Sequence, residues 1–268
     1  MAAAKKRQPN RYEKIIDRLF FAHYKKAMRE VEVHRDEIAP IAAKLKIALP
    51  DNLGDVIYSF RYRTPLPESI RKLAASDEEW LIRPAGISRY KFVLVRKVIL
   101  AANPALSKIK IPDATPGIIA RYALNDEQAL LARLRYNRLV DIFLGITCYS
   151  LQNHLRTSVS TLGQVETDEV YVGIDRAGAH YVVPVQAKGG RDKLNAVQIE
   201  QDLAMCADKF PGLICRPIGA QFADSGTIVL FELEMTTDGV RIRAERHYLL
   251  VPSSELSPEE LLSYQLPS

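Results

Sequence analysis

The chain is poor in cysteine and tryptophan, with three cysteines and one tryptophan in 268 residues. Cys148, Cys206 and Cys215 are odd in number and show no CxxC spacing, so a disulfide framework and a thiolate zinc site are both unexpected. They read as reduced, mostly buried thiols. No uncharged apolar run reaches the length of a membrane span. The first residues are polar and basic, without the apolar core of a secretory leader, which points to a cytoplasmic protein with no membrane association. The five histidines are scattered, and no HExxH or HxxxH pair occurs. GxxxxGK(S/T), GxSxG and a strand-following GxGxxG are also missing. Their absence argues against a nucleotide-driven motor, a serine hydrolase and a dinucleotide enzyme, so no nucleotide cofactor is expected.

What is present is an uneven charge. Residues 1–110 hold 23 Lys+Arg against 12 Asp+Glu, a net of +11, and the rest hold 14 against 20, a net of −6. A basic front half suits a polyanion such as double-stranded DNA, and an acidic back half suits metal-dependent chemistry. The plain alternative is solvated surface charge.

Two parts follow from the patterning, divided at 110/111. Residues 1–11 read as a basic arm. Residues 11–33 have helical spacing, with Tyr12, Ile15, Ile16, Leu19, Phe20, Tyr24 and Ala27 on one face. Further helices are expected over 36–48, with Pro40 in the first turn, from Leu53 toward Tyr58, and over 68–75. Trp80–Arg83 and Tyr90–Val95 read as a strand pair with its turn from Pro84. Short helices followed by a basic hairpin resemble a winged-helix module, an analogy at fold level. Arg61, Arg63, Arg71, Arg83, Arg89 and Lys91 are its candidate DNA contacts, because arginine and lysine hold phosphates and arginine also reads guanine edges.

Residues 99–124, with three prolines, read as a connector. Asn125 is placed to cap a long helix carrying Leu130, Leu131, Leu134, Leu139, Val140 and Phe143 and continuing toward Leu151. Strands are expected over 165–174 and 181–188 around the turn 175–178, then a helix over 192–210, then strands over 213–222, 227–234 and 240–251. This order gives an α/β core, a mixed sheet covered by helices.

The chemistry concentrates in the first two of these strands. Phosphodiester cleavage needs an activated water, charge stabilisation on the phosphate and help for the leaving oxygen, and bound Mg²⁺ can provide all three. Asp168 offers a carboxylate, Gln186 an amide oxygen and Ala187 a backbone carbonyl, all oxygens of the kind magnesium takes. Lys188, two residues from Gln186 and thus on its face in a regular strand, adds an ammonium. Glu166 shares a face with Asp168, and Glu169 takes the other. After Lys188, two glycines permit close backbone approach to a phosphate, with Arg191 and Lys193 as further DNA contacts. Gln198 either faces the strand end or lies on a solvated helix face.

Glu166-Thr167-Asp168 followed by Gln186-Ala187-Lys188 resembles the PD-(D/E)xK restriction-endonuclease-like nucleases, in the QxK variant of Mrr-type enzymes, over roughly residues 125–235. The resemblance implies an Mg²⁺-dependent endodeoxyribonuclease with Asp168, Gln186, Lys188 and Glu166 in its active site and with Asp168, Gln186 and Ala187 toward the metal. The matching expectation is a type II-like restriction endonuclease that cuts double-stranded DNA as a homodimer. Its rivals are a modification-dependent (Mrr-like) or structure-specific nuclease, and a DNA-binding protein with an inactive nuclease core. The neutral Gln186 keeps the last of these in play.

Overall fold

The structure, a computed structural model, describes residues 11–62, 64–98, 100–122, 127–160, 162–189, 194–223, 226–237 and 239–265. The chain forms two compact units. One comprises Met1–Lys97 with Ser160–Gly163, the other Val98–Val159 with Gln164–Ser268. The division falls at Lys97/Val98, ahead of the boundary read from the sequence. Among the described residues, no helix is long and apolar enough to cross a membrane.

The first unit runs α1 (Glu13–His23), β1 (Glu30–His34), α2 (Ile38–Leu45), α3 (Gly54–Tyr62), α4 (Glu68–Arg71), β2 (Glu78–Pro84) and β3 (Arg89–Arg96). Its three strands lie in the order β1-β3-β2, antiparallel throughout. The helix expected to reach Val33 stops at His23. Ala27 takes a left-handed φ of 71°, and Val31 and Val33 then alternate with Glu30 and Glu32, the period of a strand with one buried face. The apolar stripe of α1 (Ile15, Ile16, Leu19, Phe20) is buried. Phe20 meets Trp80 of β2 and Phe92 of β3 edge to face, with ring centroids 5.1 Å apart in each pair, so one side chain locks the helix to the sheet.

The second unit is α/β. Its elements are β4 (Lys108–Pro112), α5 (Gly117–Tyr122), α6 (Glu127–Tyr136), α7 (Leu139–Leu144), β5 (Thr147–Val159), β6 (Gly163–Ile174), β7 (His180–Lys188), α8 (Ala196–Lys209), β8 (Ile214–Cys215), β9 (Ile218–Phe222), β10 (Thr227–Thr236), β11 (Gly239–Val251) and α9 (Pro258–Ser263). Eight strands make one mixed sheet, ordered β4-β11-β10-β9-β7-β6-β5, with β8 also pairing β7. Strand β7 runs antiparallel to β6 and parallel to β9, and β4 parallel to β11.

Two sequence expectations give way here. The supposed connector contains β4 and α5. The expected long helix is two short ones and a strand. Arg138 turns left-handed (φ 50°) after α6, Gly145 does so again (φ 69°) after α7, and the chain leaves as β5. The strand was hidden because β5 lies at the end of the sheet order and is largely exposed, with Ser150, Gln152 and Asn153 in the sequence instead of a buried apolar alternation. The cap at Asn125 lies outside the described residues.

Helices cover both faces of this sheet. Leu130, Leu131 and Leu134 of α6 and Leu139 and Val140 of α7 pack with Val183, Val185 and Ala187 of β7 and Ile228 and Leu230 of β10. On the opposite face, Val229, Phe231 and Leu233 of β10 pack with Ile199 of α8 and Leu194. Burial on two faces explains the continuous apolar run of β7. Pro184 stands where the partner of β7 changes from β8, paired at Val182, to β9, paired from Val185. A step in the ladder is the place in a central strand that best tolerates a missing N–H.

Candidate active site

The site lies where β6 and β7 part. Their pairing runs from Ile174↔His180 to Glu169↔Val185, and beyond it β7 continues along β9, with Gln186↔Gly219 and Lys188↔Gln221. Asp168 sits one residue past that last pair. Its Oδ2 accepts the backbone N–H of Ala187 at 2.8 Å, so the carboxylate bridges the fork. Oδ1 takes no hydrogen bond among the described residues. Burial raises the Asp168 pKa, and Glu127 adds to the rise, while Lys188 and the Ala187 N–H oppose it.

Lys188 Nζ reaches Glu127 Oε1 at 3.0 Å. The lysine side chain is 13% exposed and the glutamate 38%, so the pair lies at the edge of the site with the ammonium largely covered. Glu127 opens α6. The sequence offers it only as a first-turn acid favoured by the helix dipole, with no link to the site. Nothing in its spacing showed that α6 would begin beside the end of β7.

Gln186 is buried and turns toward α8. Its Nε2 donates to Oδ1 and Oδ2 of Asp202 at 3.1 and 3.0 Å and lies 3.3 Å from the Glu166 carbonyl. Its Oε1 accepts from Gln198 Nε2 at 3.3 Å. Gln198 and Asp202 are four residues apart on α8 and therefore on one helical face. Thr167 completes the network, donating through Oγ1 to Asp202 Oδ1 at 2.6 Å. Burial pushes the Asp202 carboxyl up to about 7, against the opposing hydrogen bonds from Thr167 and Gln186. Asp202 is the second residue that sequence reasoning missed. One of three acids on an amphipathic helix, with Glu200 and Asp208, it carries no motif.

Glu166 faces away from this network. Its carboxylate lies 2.8 Å from His154 Nε2 and accepts from Arg156 at 3.3 Å, both on β5. Glu169 takes the other side of β6, fully buried against Arg135 at 3.0 Å and Ser150 at 2.5 Å. Of the sequence candidates, then, Asp168, Ala187 and Lys188 come together with Glu127, while Gln186 is held behind them by Asp202 and Glu166 stands beside them with His154.

Among the described residues, no group of three or more His, Cys, Asp and Glu side chains gathers as a metal centre. The donors at the fork are nevertheless all oxygens: the unpaired Asp168 Oδ1, the Ala187 carbonyl and the Glu127 carboxylate. Magnesium keeps several waters and needs few protein ligands, so this donor set fits it. The Gln186 oxygen, already accepting from Gln198, retains one lone pair.

The candidate DNA contacts fall in different settings. Arg89 is exposed at the start of β3. Arg61 on α3 and Arg83 on β2 are half-buried. Arg71 of α4 donates through Nε to the Leu66 carbonyl at 2.9 Å. Lys91 pairs with Glu30 at 2.8 Å and Glu32 at 3.6 Å, and its pKa is raised chiefly by the Glu30 bond. Arg63, Arg191 and Lys193 lie outside the described residues. No protein-family model, curated protein or solved structure matches the chain.

Proposed function

We propose that the protein is an Mg²⁺-dependent endodeoxyribonuclease of the type II-like restriction class, cutting double-stranded DNA, with a restriction-endonuclease-like core in its second unit. The observation that carries this reading is the fork itself. Asp168 is tied to the Ala187 N–H at 2.8 Å, with the Lys188 ammonium beside it and Glu127 at 3.0 Å from that ammonium.

Asp168, the Ala187 carbonyl and Glu127 would hold the ion. When bound, it polarises the scissile phosphate and lowers the pKa of water. Lys188 places a fixed positive charge where the phosphate gains negative charge, and its partial burial strengthens that attraction relative to bulk water. Asp202, Gln198 and Thr167 clamp Gln186 and so hold the end of β7 against α8 and β6.

The first unit is read as a winged-helix DNA-recognition domain. Support comes from its order, helix–strand–helices–strand–strand, from its sheet order β1-β3-β2, and from the +11 charge of residues 1–110. A cytoplasmic homodimer follows from the chemistry, since one fork cuts one strand and two symmetric forks cut both. The deciding experiment incubates the protein with unmethylated phage DNA in Mg²⁺ or EDTA. Discrete fragments confined to Mg²⁺ support the reading, and their absence refutes it.

One observation favours a second reading. Gln186 is neutral, and its amide is engaged on both ends by α8. A DNA-binding protein with an inactive nuclease core would show salt-sensitive DNA binding without a metal-dependent product. Cleavage confined to methylated or branched DNA would instead indicate a modification-dependent or structure-specific nuclease.

A further inference from the structure

The turn between β2 and β3 carries Ile87 at its tip, 91% exposed, more than any other large apolar side chain among the described residues. Its neighbours Ala85, Gly86 and Ser88 are half-buried, so Ile87 is the most exposed residue of the tip. Backbone bonds fix it. The Ala85 N–H donates to the Arg89 carbonyl at 2.9 Å, the Arg89 N–H to Gly86 at 3.2 Å, and the Arg35 N–H to the Ser88 carbonyl at 2.8 Å. Gly86 takes φ 115°, a conformation open in practice to glycine alone, and Ser88 takes φ 57°. A tight turn thus holds one isoleucine outward on a stiff support, with exposed Arg89 two residues on and Arg83 four residues before it.

An apolar point beside an exposed arginine matches a surface with negative charge outside and apolar faces within. Duplex DNA has that structure, with phosphates flanking stacked bases. The geometry points to Ile87 as a wedge that enters the minor groove and parts one base step while Arg89 holds an adjacent phosphate. The inference rests on the DNA-binding half of the reading above and not on cleavage. A groove about 6 Å wide admits a one-residue tip. Unstacking a step costs a few kcal/mol and kinks the duplex, so it needs an apolar side chain on a support that does not yield. An anionic membrane presents related chemistry. But one isoleucine buries less than a single myristoyl chain, which is itself a marginal anchor.

The test uses the full chain in EDTA, relaxed closed-circular plasmid and a metal-independent topoisomerase. A wedge unwinds DNA, so the wild-type protein is expected to shift the linking-number distribution. Ile87→Ser is expected to bind about 10- to 150-fold more weakly, the equivalent of burying one isoleucine, and to give no shift at matched occupancy. Arg89→Ala is expected to bind more weakly yet keep the shift at matched occupancy. Because Ile87 touches little else, an unchanged melting temperature for Ile87→Ser checks that the variant is folded. A shift from Ile87→Ser equal to that of the wild type overturns the wedge. Wild-type binding without any shift overturns the wedge alone, and no wild-type binding to DNA overturns the DNA-binding reading as well. Loss of binding to phosphatidylserine vesicles in Ile87→Ser, with DNA binding unchanged, assigns the tip to a membrane and also overturns it.

Discussion

At the scale of single residues, Lys188 and Asp202 make opposite contributions. On the proposed function, Lys188 stabilises charge that appears only during cleavage. Lys188→Ala is therefore expected to lower single-turnover cleavage by about 100-fold or more, with duplex binding in Ca²⁺ or EDTA within about threefold of wild type. Loss of binding in parallel with cleavage would contradict that role. Asp202 bears on stability. Its carboxyl is raised to about 7 when folded, against about 3.9 in an unfolded chain. The sign follows from linkage. Below pH 4 the group is protonated in both states and costs nothing, and as pH rises toward 7 only the unfolded chain releases the proton. The folded state therefore loses stability across that window, on the order of 4 kcal/mol for so deeply buried a group, with no further loss above the folded pKa. Asp202→Asn is expected to flatten the pH 4–7 slope of the unfolding free energy measured in urea, and an unchanged slope would count against the burial argument. Asp168, Lys188 and Gln186 were visible in the sequence as residues. Their partners were not visible as partners, Glu127 being read only as a first-turn acid and Asp202 not at all, because the contact of a helix with a distant strand end leaves no local pattern.

At the scale of elements, ion pairs fasten the sheet to its helices. Arg216, just after β8, binds Glu232 of β10 in two bonds of 2.8 and 2.9 Å and also donates to the Leu144 carbonyl, at the end of α7, at 3.2 Å. The Glu232 carboxylate raises the Arg216 pKa. Glu232→Ala leaves a largely buried guanidinium without its carboxylate. It is expected to cost about 3–5 kcal/mol in chemical denaturation, whereas an exposed pair such as Arg241–Glu234 should be worth under about 1 kcal/mol. Equal effects at the two sites would show that burial does not decide the difference. Strands β6, β7, β10 and β11 were legible because apolar residues alternate or run continuously there. By contrast, β1 hid behind the helical spacing of α1, and β5 hid because a largely exposed strand at the end of the sheet needs no apolar face. In the paired motif on β6 and β7, Gln186 was read as sharing a face with Lys188 and facing one metal with Asp168. The fork changes that, turning Gln186 toward α8 while Asp168 closes on the Ala187 N–H.

At the scale of the whole molecule, charge is segregated along the chain, +11 before residue 111 and −6 after it. If the basic part holds duplex DNA, binding must weaken steeply with salt, each neutralised phosphate adding about −0.9 to the slope of log K against log salt. Removing the exposed Arg89 should reduce that slope by about 1 in a salt titration. A slope unchanged by Arg89→Ala would move the contact elsewhere. The α/β class and the order of most elements were accessible from composition and periodicity. The pairing of β1 with β3 and the parallel contact of β4 with β11 were not, because both depend on contacts between distant segments.

The central claim is that the Asp168–Lys188 fork cuts DNA. Its most direct test is incubation of purified protein with unmethylated phage DNA in Mg²⁺, with EDTA and Lys188→Ala as controls. Discrete fragments from the wild type in Mg²⁺ alone, absent in both controls, are the expected result. Intact DNA in every lane, with a salt-sensitive gel shift retained, would contradict cleavage and leave a DNA-binding protein built on the same fold.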